Sequence, residues 1–262
     1  MAGHEIPRSH PRYHSLVVRE RLVEGFRKGI VVPQGLIAHG RGEAFDYILG
    51  ERTHDFAEEA IRAAVAWLLL ARHPVISVNG NLAALAPREV GELARLTGAL
   101  VEVNLFYRTE ERVRAIEDHL KANGVGGVLG SACRKRRLPG LESPRGIVCE
   151  EGIFRADFVL VAIEDGDRTE ALRRAGKRVA AIDLNPFSRT AQMADITIVD
   201  EATRALRRAV EVAKELRGAG REELEGIVSS YDNAGVLARA FQAMLARLSE
   251  AASKGRLLEP PA

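Results

Sequence analysis

Only two cysteines, Cys133 and Cys149, occur among the 262 residues, with neither a CxxC pair nor a histidine beside them at ligand spacing. That excludes a zinc site, offers no disulfide framework, and makes a reducing cytoplasm the expected compartment. Long apolar runs are missing as well. The longest, Ala63 to Ala71, is less than half of the roughly 20 residues that span a bilayer, and the start, Met1-Ala-Gly-His-Glu-Ile-Pro-Arg8, has no hydrophobic signal core. Neither membrane insertion nor export is expected. Charge of one sign is not in excess: 38 Lys and Arg face 36 Asp and Glu, a formal net of +2. No nucleic-acid partner is therefore expected, and the one basic run, Arg134-Lys-Arg-Arg137, reads as a solvated loop, with a phosphate clamp as the alternative. GxGxxG, GxxxxGK followed by Ser or Thr, and GxSxG are all absent. Their absence counts against an NAD-linked oxidoreductase, a P-loop and a covalent nucleophile elbow.

What is present suits a substantial core: 46% of residues are hydrophobic, and one α/β domain is the simplest reading. Residues 1–73 read as a helical N-terminal region, with helical patterns over 15–29 and 57–72. Between them Gly35-Leu-Ile-Ala-His-Gly-Arg-Gly-Glu-Ala-Phe-Asp-Tyr47 carries three glycines for sharp turns or close approach to a ligand. Residues 74–200 alternate strands (75–79, 99–104, 127–129, 158–163, 179–183, 196–199) with helices (87–97, 109–122, 168–175), which implies a mostly parallel sheet flanked by helices. Ser143 to Ile153 reads as a short edge hairpin. Residues 201–250 read as C-terminal helices on the core, whose apolar faces (Val210, Val212, Leu216; Leu237, Phe241, Leu245) serve either the core or a dimer, and 251–262 as a disordered tail.

Polar residues gather where strands end, which is how an open α/β sheet builds a crevice. After 75–78 come Asn79-Gly80-Asn81, either an anion-receiving turn or a tight turn that uses Gly and Asn for its dihedrals. After 158–163 come Glu164, Asp165, Asp167 and Arg168, either Mg²⁺ ligands with a phosphate-countering arginine or an acidic loop in which Asp167 caps a helix. After 179–182, Asp183 is placed to accept from ribose hydroxyls, with Ser188, Arg189 and Thr190 as phosphate-facing donors; a turn at Asn185-Pro186 with a surface Arg189 is the alternative. Asp200 closes the last strand on the same rim. Asn104 and Arg108 end another strand. His39, flanked by glycine and Arg41, is the histidine expected to face ligand, with an ordinary loop histidine as the alternative. Five arginines in such settings (Arg19, Arg41, Arg108, Arg168, Arg189) point to a ligand with several phosphate or carboxylate groups.

Taken together, Ser9-His-Pro-Arg-Tyr13, the Gly35–Tyr47 stretch, Pro74-Val-Ile-Ser-Val-Asn-Gly-Asn81, Glu102-Val-Asn-Leu-Phe-Tyr-Arg-Thr109, Glu164-Asp-Gly-Asp-Arg-Thr169 and Asp183-Leu-Asn-Pro186 resemble the archaeal phosphopantothenate synthetases, the 4-phosphopantoate-β-alanine ligases. The resemblance runs from about residue 6 to 250. It implies a Rossmann-like core, a homodimer, and an ATP- and Mg²⁺-dependent ligase of coenzyme A biosynthesis. Such an enzyme joins 4-phosphopantoate to β-alanine through a phosphopantoyl adenylate and releases AMP and pyrophosphate. By the same resemblance, ATP contacts fall on Arg19, Arg41, Asp183, Leu184, Asn185, Ser188, Arg189, Thr190, Asp200 and Glu201, the last standing where the family often has Asn. Position alone suggests Asn79, Asn81, Asn104 and Arg108 for 4-phosphopantoate. Arg41 and Arg189 are the expected catalytic cations and His39 the base for the β-alanine ammonium. A nucleotide or coenzyme A sensor without turnover is the competing reading.

Overall fold

The computed structural model describes residues 6–256. Three helices, α1 (Tyr13–Arg27), α2 (Pro33–Leu49) and α3 (Asp55–Leu70), lead into β1 (Pro74–Val78). Then come α4 (Gly80–Leu85), α5 (Pro87–Thr97), β2 (Leu100–Val103), α6 (Glu110–Ala122) and β3 (Val128–Leu129). A two-stranded excursion, β4 (Lys135–Arg137) and β5 (Ile147–Cys149), precedes β6 (Phe158–Ala162), α7 (Gly166–Arg174), β7 (Arg178–Ile182), α8 (Arg189–Met193) and β8 (Ile196–Ile198). The helices α9 (Ala202–Leu216), α10 (Arg221–Ser229) and α11 (Asn233–Lys254) follow.

Six strands form one sheet in the order β3-β2-β1-β6-β7-β8, and every pairing in it is parallel. The expected α/β architecture, a parallel sheet with helical additions at both ends, is what is seen. β1 and β6 lie side by side, Val75 opposite Val159 and Ile76 opposite Leu160, and the strand order runs outward from them in both directions. A crevice opens outside the carboxyl ends of strands at such a switch point. All five residues of β1 and all five of β6 are buried, because helices cover one face and the β4–β5 segment together with α7 covers the other, and so each reads as an unbroken apolar run rather than an alternating one. α3 is buried nearly all round, at Phe56, Ala57, Ile61, Val65 and Leu68 among others, since it packs on the sheet and is itself covered by α9 and α10. Among the described residues no helix is long and apolar enough to cross a membrane.

Several expectations are corrected. The Gly35–Tyr47 stretch is no turning loop but lies inside α2, which Pro33 opens and Gly50, at φ 94°, closes. None of Gly35, Gly40 and Gly42 has a positive φ. A Cβ on Gly35 would lie 2.2 Å from Asn81 Oδ1, so there glycine supplies room for close packing rather than a turn. The basic run at 134–137 is largely strand β4, and its antiparallel partner is β5, so Ser143–Ile153 is not a hairpin on its own. This pairing sets Lys135 opposite Cys149 and joins Cys133 to Cys149 as a disulfide with Cα atoms 5.5 Å apart. Finally, Asp165 rather than Asp167 is the N-cap of α7, and α11 continues to Lys254 where a disordered tail was expected from 251; residues 257–262 lie outside the described residues.

Candidate active site

Two cavities, of about 260 and about 140 Å³, open over the carboxyl ends of β1, β6 and β7 and share Ala38, Arg41, Ile163 and Asp165 as common wall. They are lobes of one crevice. One face of α2 roofs both: Gln34, Gly35, Ala38, Arg41 and Gly42 recur at helical spacing and all line it. Three of the five are Gly or Ala, which leaves the space below the helix open.

The smaller lobe is lined by Asp183, Leu184, Asn185, Ser188, Asp200, Glu201 and His39. Asp183, at the end of β7, accepts from Asn185 N–H (2.9 Å) and from the Ser188 hydroxyl (2.5 Å). Burial pushes its carboxyl above the ordinary range, against those bonds and the nearby Arg41 charge. Each carboxylate oxygen keeps a free lone pair for a ligand. Asp200 accepts from Thr53 (2.6 Å) and from Arg204 (2.8 Å), which in turn reaches Asp46 on α2. Burial opposes the charge of Glu201 too, but bonds from His14, from Thr203 hydroxyl and N–H, and from Arg204 N–H hold its carboxyl down at about 2. Burial lowers the pKa of His39, with Glu43 and Glu201 pulling the other way, so its ring is neutral at pH 7.

The larger lobe is lined by Asn79, Asn81, Arg112, Arg145 and the apolar Leu105-Phe106 segment. Asn79 caps α4, accepting from Leu82 N–H at 3.0 Å, while its amide donates to the carbonyls of Ala162 (2.8 Å) and Ile163 (3.2 Å). That clamp crosses the switch point and holds Ile163 at φ 50°, a conformation costing about 1–3 kcal/mol for a residue with a Cβ. Asn81 donates to Gly35 O at 2.8 Å and so ties α4 to α2. Beneath the lobe the fully buried Arg168 donates to Ser77 Oγ (3.0 Å) and pairs with Glu164, whose other oxygen meets Arg145 at 3.1 Å.

Several sequence candidates lie outside the lining of both lobes. Arg19 is paired with Glu43 at 2.8 Å, Arg108 with Glu110 at 3.3 Å, and the exposed Arg189 with Glu170. Thr190 is buried and donates to Glu164 O at 2.7 Å. Asn104 is fully buried and donates to the carbonyls of Arg145 (3.1 Å) and Ile147 (3.0 Å), so it positions Arg145 from behind. The three carboxylates after β6 diverge: Glu164 is enclosed by arginines, Asp167 is exposed, and Asp165 alone stands on the wall common to both lobes. Among the described residues no group of three or more His, Cys, Asp or Glu converges. Sequence reasoning missed Arg112 and Arg145. Arg112 sits inside an ordinary helical pattern, and the one signal for Arg145 is its Pro-Arg-Gly turn.

Residues 56–247 match a family model described as phosphopantothenate/pantothenate synthetase. The chain is 56% identical over 250 residues (95% of this chain, 96% of the relative) to a protein of Thermococcus kodakarensis named 4-phosphopantoate--beta-alanine ligase. It is 55% identical over 251 residues (96% of both chains) to the protein of that name from Thermococcus onnurineus. For the one from Methanosarcina mazei the identity is 50% over 250 residues, 95% of this chain and 98% of the relative.

Proposed function

The chain belongs to the phosphopantothenate/pantothenate synthetase family, and from that membership we propose that it is a ligase of coenzyme A biosynthesis joining 4-phosphopantoate to β-alanine at the expense of ATP. One observation carries the reading: two lobes of opposite character meet at a shared wall. Carboxylates line the smaller lobe, where Asp183 suits ribose hydroxyls, and guanidinium groups line the larger one, which suits an anionic acid. An adenylating ligase needs such a junction, because the carboxylate of one ligand must reach the α-phosphate of the other.

In this reading ATP lies along Asp183, Leu184, Asn185, Ser188, Asp200 and Glu201, and the acid occupies the lobe beside Asn79 and Asn81. Arg41, on the wall of both lobes, stabilises the negative charge that builds as the carboxylate attacks phosphorus and pyrophosphate leaves. The β-alanine ammonium then gives a proton to the neutral His39, its amine attacks the acyl carbon, the bond from that carbon to the phosphate oxygen breaks, and AMP leaves as the amide nitrogen gives up its second proton to the departing phosphate or to water. Mg²⁺ fits if phosphate oxygens and water complete its shell, since one or two carboxylates suffice for that ion. Asp165 would hold it, and bound there it would supply electrophilic help at the phosphates. The family's homodimer and an ATP rather than another nucleotide complete the proposal.

The test is an assay with ATP, Mg²⁺, 4-phosphopantoate and β-alanine, following AMP and phosphopantothenate by chromatography. Sustained AMP release only with both acids supports the ligase. ATP binding without AMP would replace it with the sensor, and ADP in place of AMP would remove the adenylate. Arg41→Ala is expected to lower kcat by roughly 10²- to 10³-fold; an unchanged kcat would remove Arg41 from the junction.

A further inference from the structure

The basic run Arg134-Lys-Arg-Arg137 lies outside the lining of both lobes, yet it follows directly on Cys133 and forms the strand that faces Cys149. We propose that the Cys133–Cys149 bond is a thiol–disulfide exchange site, opened by a dithiol reductant that enters at Cys133, and that its opening weakens ligand binding in the larger lobe. The exchange stands on its own chemistry; its effect on the lobe rests on the ligase reading above, which puts the acid there.

The two sulfurs have different surroundings. Cys149 is 2% exposed while Cys133 is only partly buried, so a reductant reaches one of them. Lys135 Nζ lies 2.9 Å from Cys133 Sγ, and Cys149 Sγ is at most one S–S bond farther away. An ammonium at that place stabilises whichever thiolate is released and speeds its departure. Arg134, Arg136 and Arg155 share one carboxylate, Glu150, which leaves net positive charge around β4 and draws in an anionic thiolate. A bond kept only for strength needs neither an accessible sulfur nor a cation against it.

The dithiol form has partners in place as well. Gly130 O lies 3.4 Å from Cys133 Sγ and 4.0 Å from Cys149 Sγ, an acceptor that a disulfide, having no S–H, cannot use. Two buried carboxylates pin the chain on either side. Glu117 accepts from the N–H and the hydroxyl of Ser131, both at 2.6 Å, and Glu102 from the N–H groups of Cys149 (2.9 Å) and Ile153 (2.6 Å). With those ends fixed the thiols stay within reach of each other, and closure is reversible. What loosens is the segment between them. Leu138 N–H donates to Gly146 O at 2.8 Å, and Arg137 donates to the carbonyls of Leu141 (3.1 Å) and Glu142 (3.0 Å), so β4 grips the turn that carries Arg145 into the lobe.

The exchange balances without a further reactant. A thiolate of the dithiol attacks Cys133 Sγ, the S–S bond breaks, and Cys149 leaves as a thiolate that takes up a proton. The second thiol of the reductant then loses its proton and attacks the reductant's own sulfur in the mixed disulfide. Cys133 is freed beside Lys135, and the reductant departs as a disulfide, two electrons having passed to the protein.

Wild type equilibrated with mixtures of reduced and oxidised dithiothreitol, quenched with a maleimide and weighed by mass spectrometry, gives the open fraction. Both cysteines should be labelled in a protein that keeps its circular dichroism, oxidised dithiothreitol should restore the bond, and Lys135→Met should open several-fold more slowly. A bond that opens only in urea would overturn the exchange site. Calorimetric titration of 4-phosphopantoate should give a dissociation constant about 5-fold or more weaker for the reduced protein than for the oxidised one, the low end of coupling between two sites. Cys133→Ser should bind as reduced wild type does, with or without dithiothreitol. Coupling is reciprocal, so saturating acid should raise the ratio of reduced to oxidised dithiothreitol at half-opening by the same factor. Equal affinity in both forms would remove the hold on the lobe. If wild type makes no AMP but opens reversibly and binds the acid in step with the bond, the ligase reading fails and the exchange site stands. AMP formation with one KM for the acid, bond closed or open, keeps the ligase and removes the switch.

Discussion

Both carboxylate oxygens of Glu201 accept from Thr203 N–H at 3.0 Å, capping α9, and the same residue closes the wall of the smaller lobe. Its pKa falls from 4.5 to about 2 on folding because those bonds outweigh burial. A carboxyl depressed in the folded state adds stability that is complete above about pH 4.5 and is lost as pH falls through about 2. The shift corresponds to about 3 kcal/mol at neutral pH. Glu201→Gln cannot titrate, so urea unfolding of both proteins should show a wild-type advantage near that size at pH 7 and less than half of it at pH 3. An advantage equal at both pH values would mean that packing, not charge, accounts for the residue. At this scale the strand-end acids were legible in the sequence, since Asp183 and Asp200 stand where apolar runs stop. Arg112 and Arg145 were not, because a lone arginine in a helix or a turn looks alike whether or not its charge is compensated, and compensation is a tertiary property.

The strand pair β4 and β5 carries Arg145 to the crevice, and the Cys133–Cys149 bond fastens it across 16 residues. Closing a loop of that length removes about 3 kcal/mol of disorder from the unfolded chain. Cys133→Ser should therefore lower Tm by roughly 6–12 °C, read by calorimetry with and without reductant; a wild type whose Tm ignores reductant would show that the bond contributes nothing. The pair was not legible in advance, because Arg134-Lys-Arg-Arg137 has the composition of a solvated loop and β4 is largely exposed. Helix α2 was missed for the opposite reason. Gly35 and Gly42 are poor helix formers, at about 1 kcal/mol each, yet they sit on the face that roofs the ligand space, where a larger side chain would fill it. β1, β6 and β7 were plain from sequence, since strands buried on both faces leave unbroken apolar runs.

Across the whole molecule, most of the apolar positions first considered for a dimer are core: Val210, Val212, Leu216 and Leu237 are all buried. What stays uncovered is a stripe on α11, where Leu245 is 63% and Leu248 51% exposed, continued through Phe241 to Phe187, itself 65% exposed, with the two rings 4.6 Å apart. Phe241, Leu245 and Leu248 fall at i, i+4 and i+7, one face of the helix. If the proposed homodimer forms, this stripe is an apolar surface it could use, and a two-fold axis through it would bury both copies of each residue. At about 2 kcal/mol per leucine, losing both copies weakens association by roughly 10³-fold. Leu245→Glu should therefore elute as a folded monomer by light scattering at micromolar concentration, where the proposal expects wild type to be a dimer, and a monomeric wild type would sink the interface. Phe187 also lies between Asn185 and Ser188, both on the smaller lobe, where the proposal puts the nucleotide. The dimer contact would brace that loop, so the Leu245→Glu monomer should also bind ATP several-fold more weakly, although Leu245 itself lies outside the lining of both lobes.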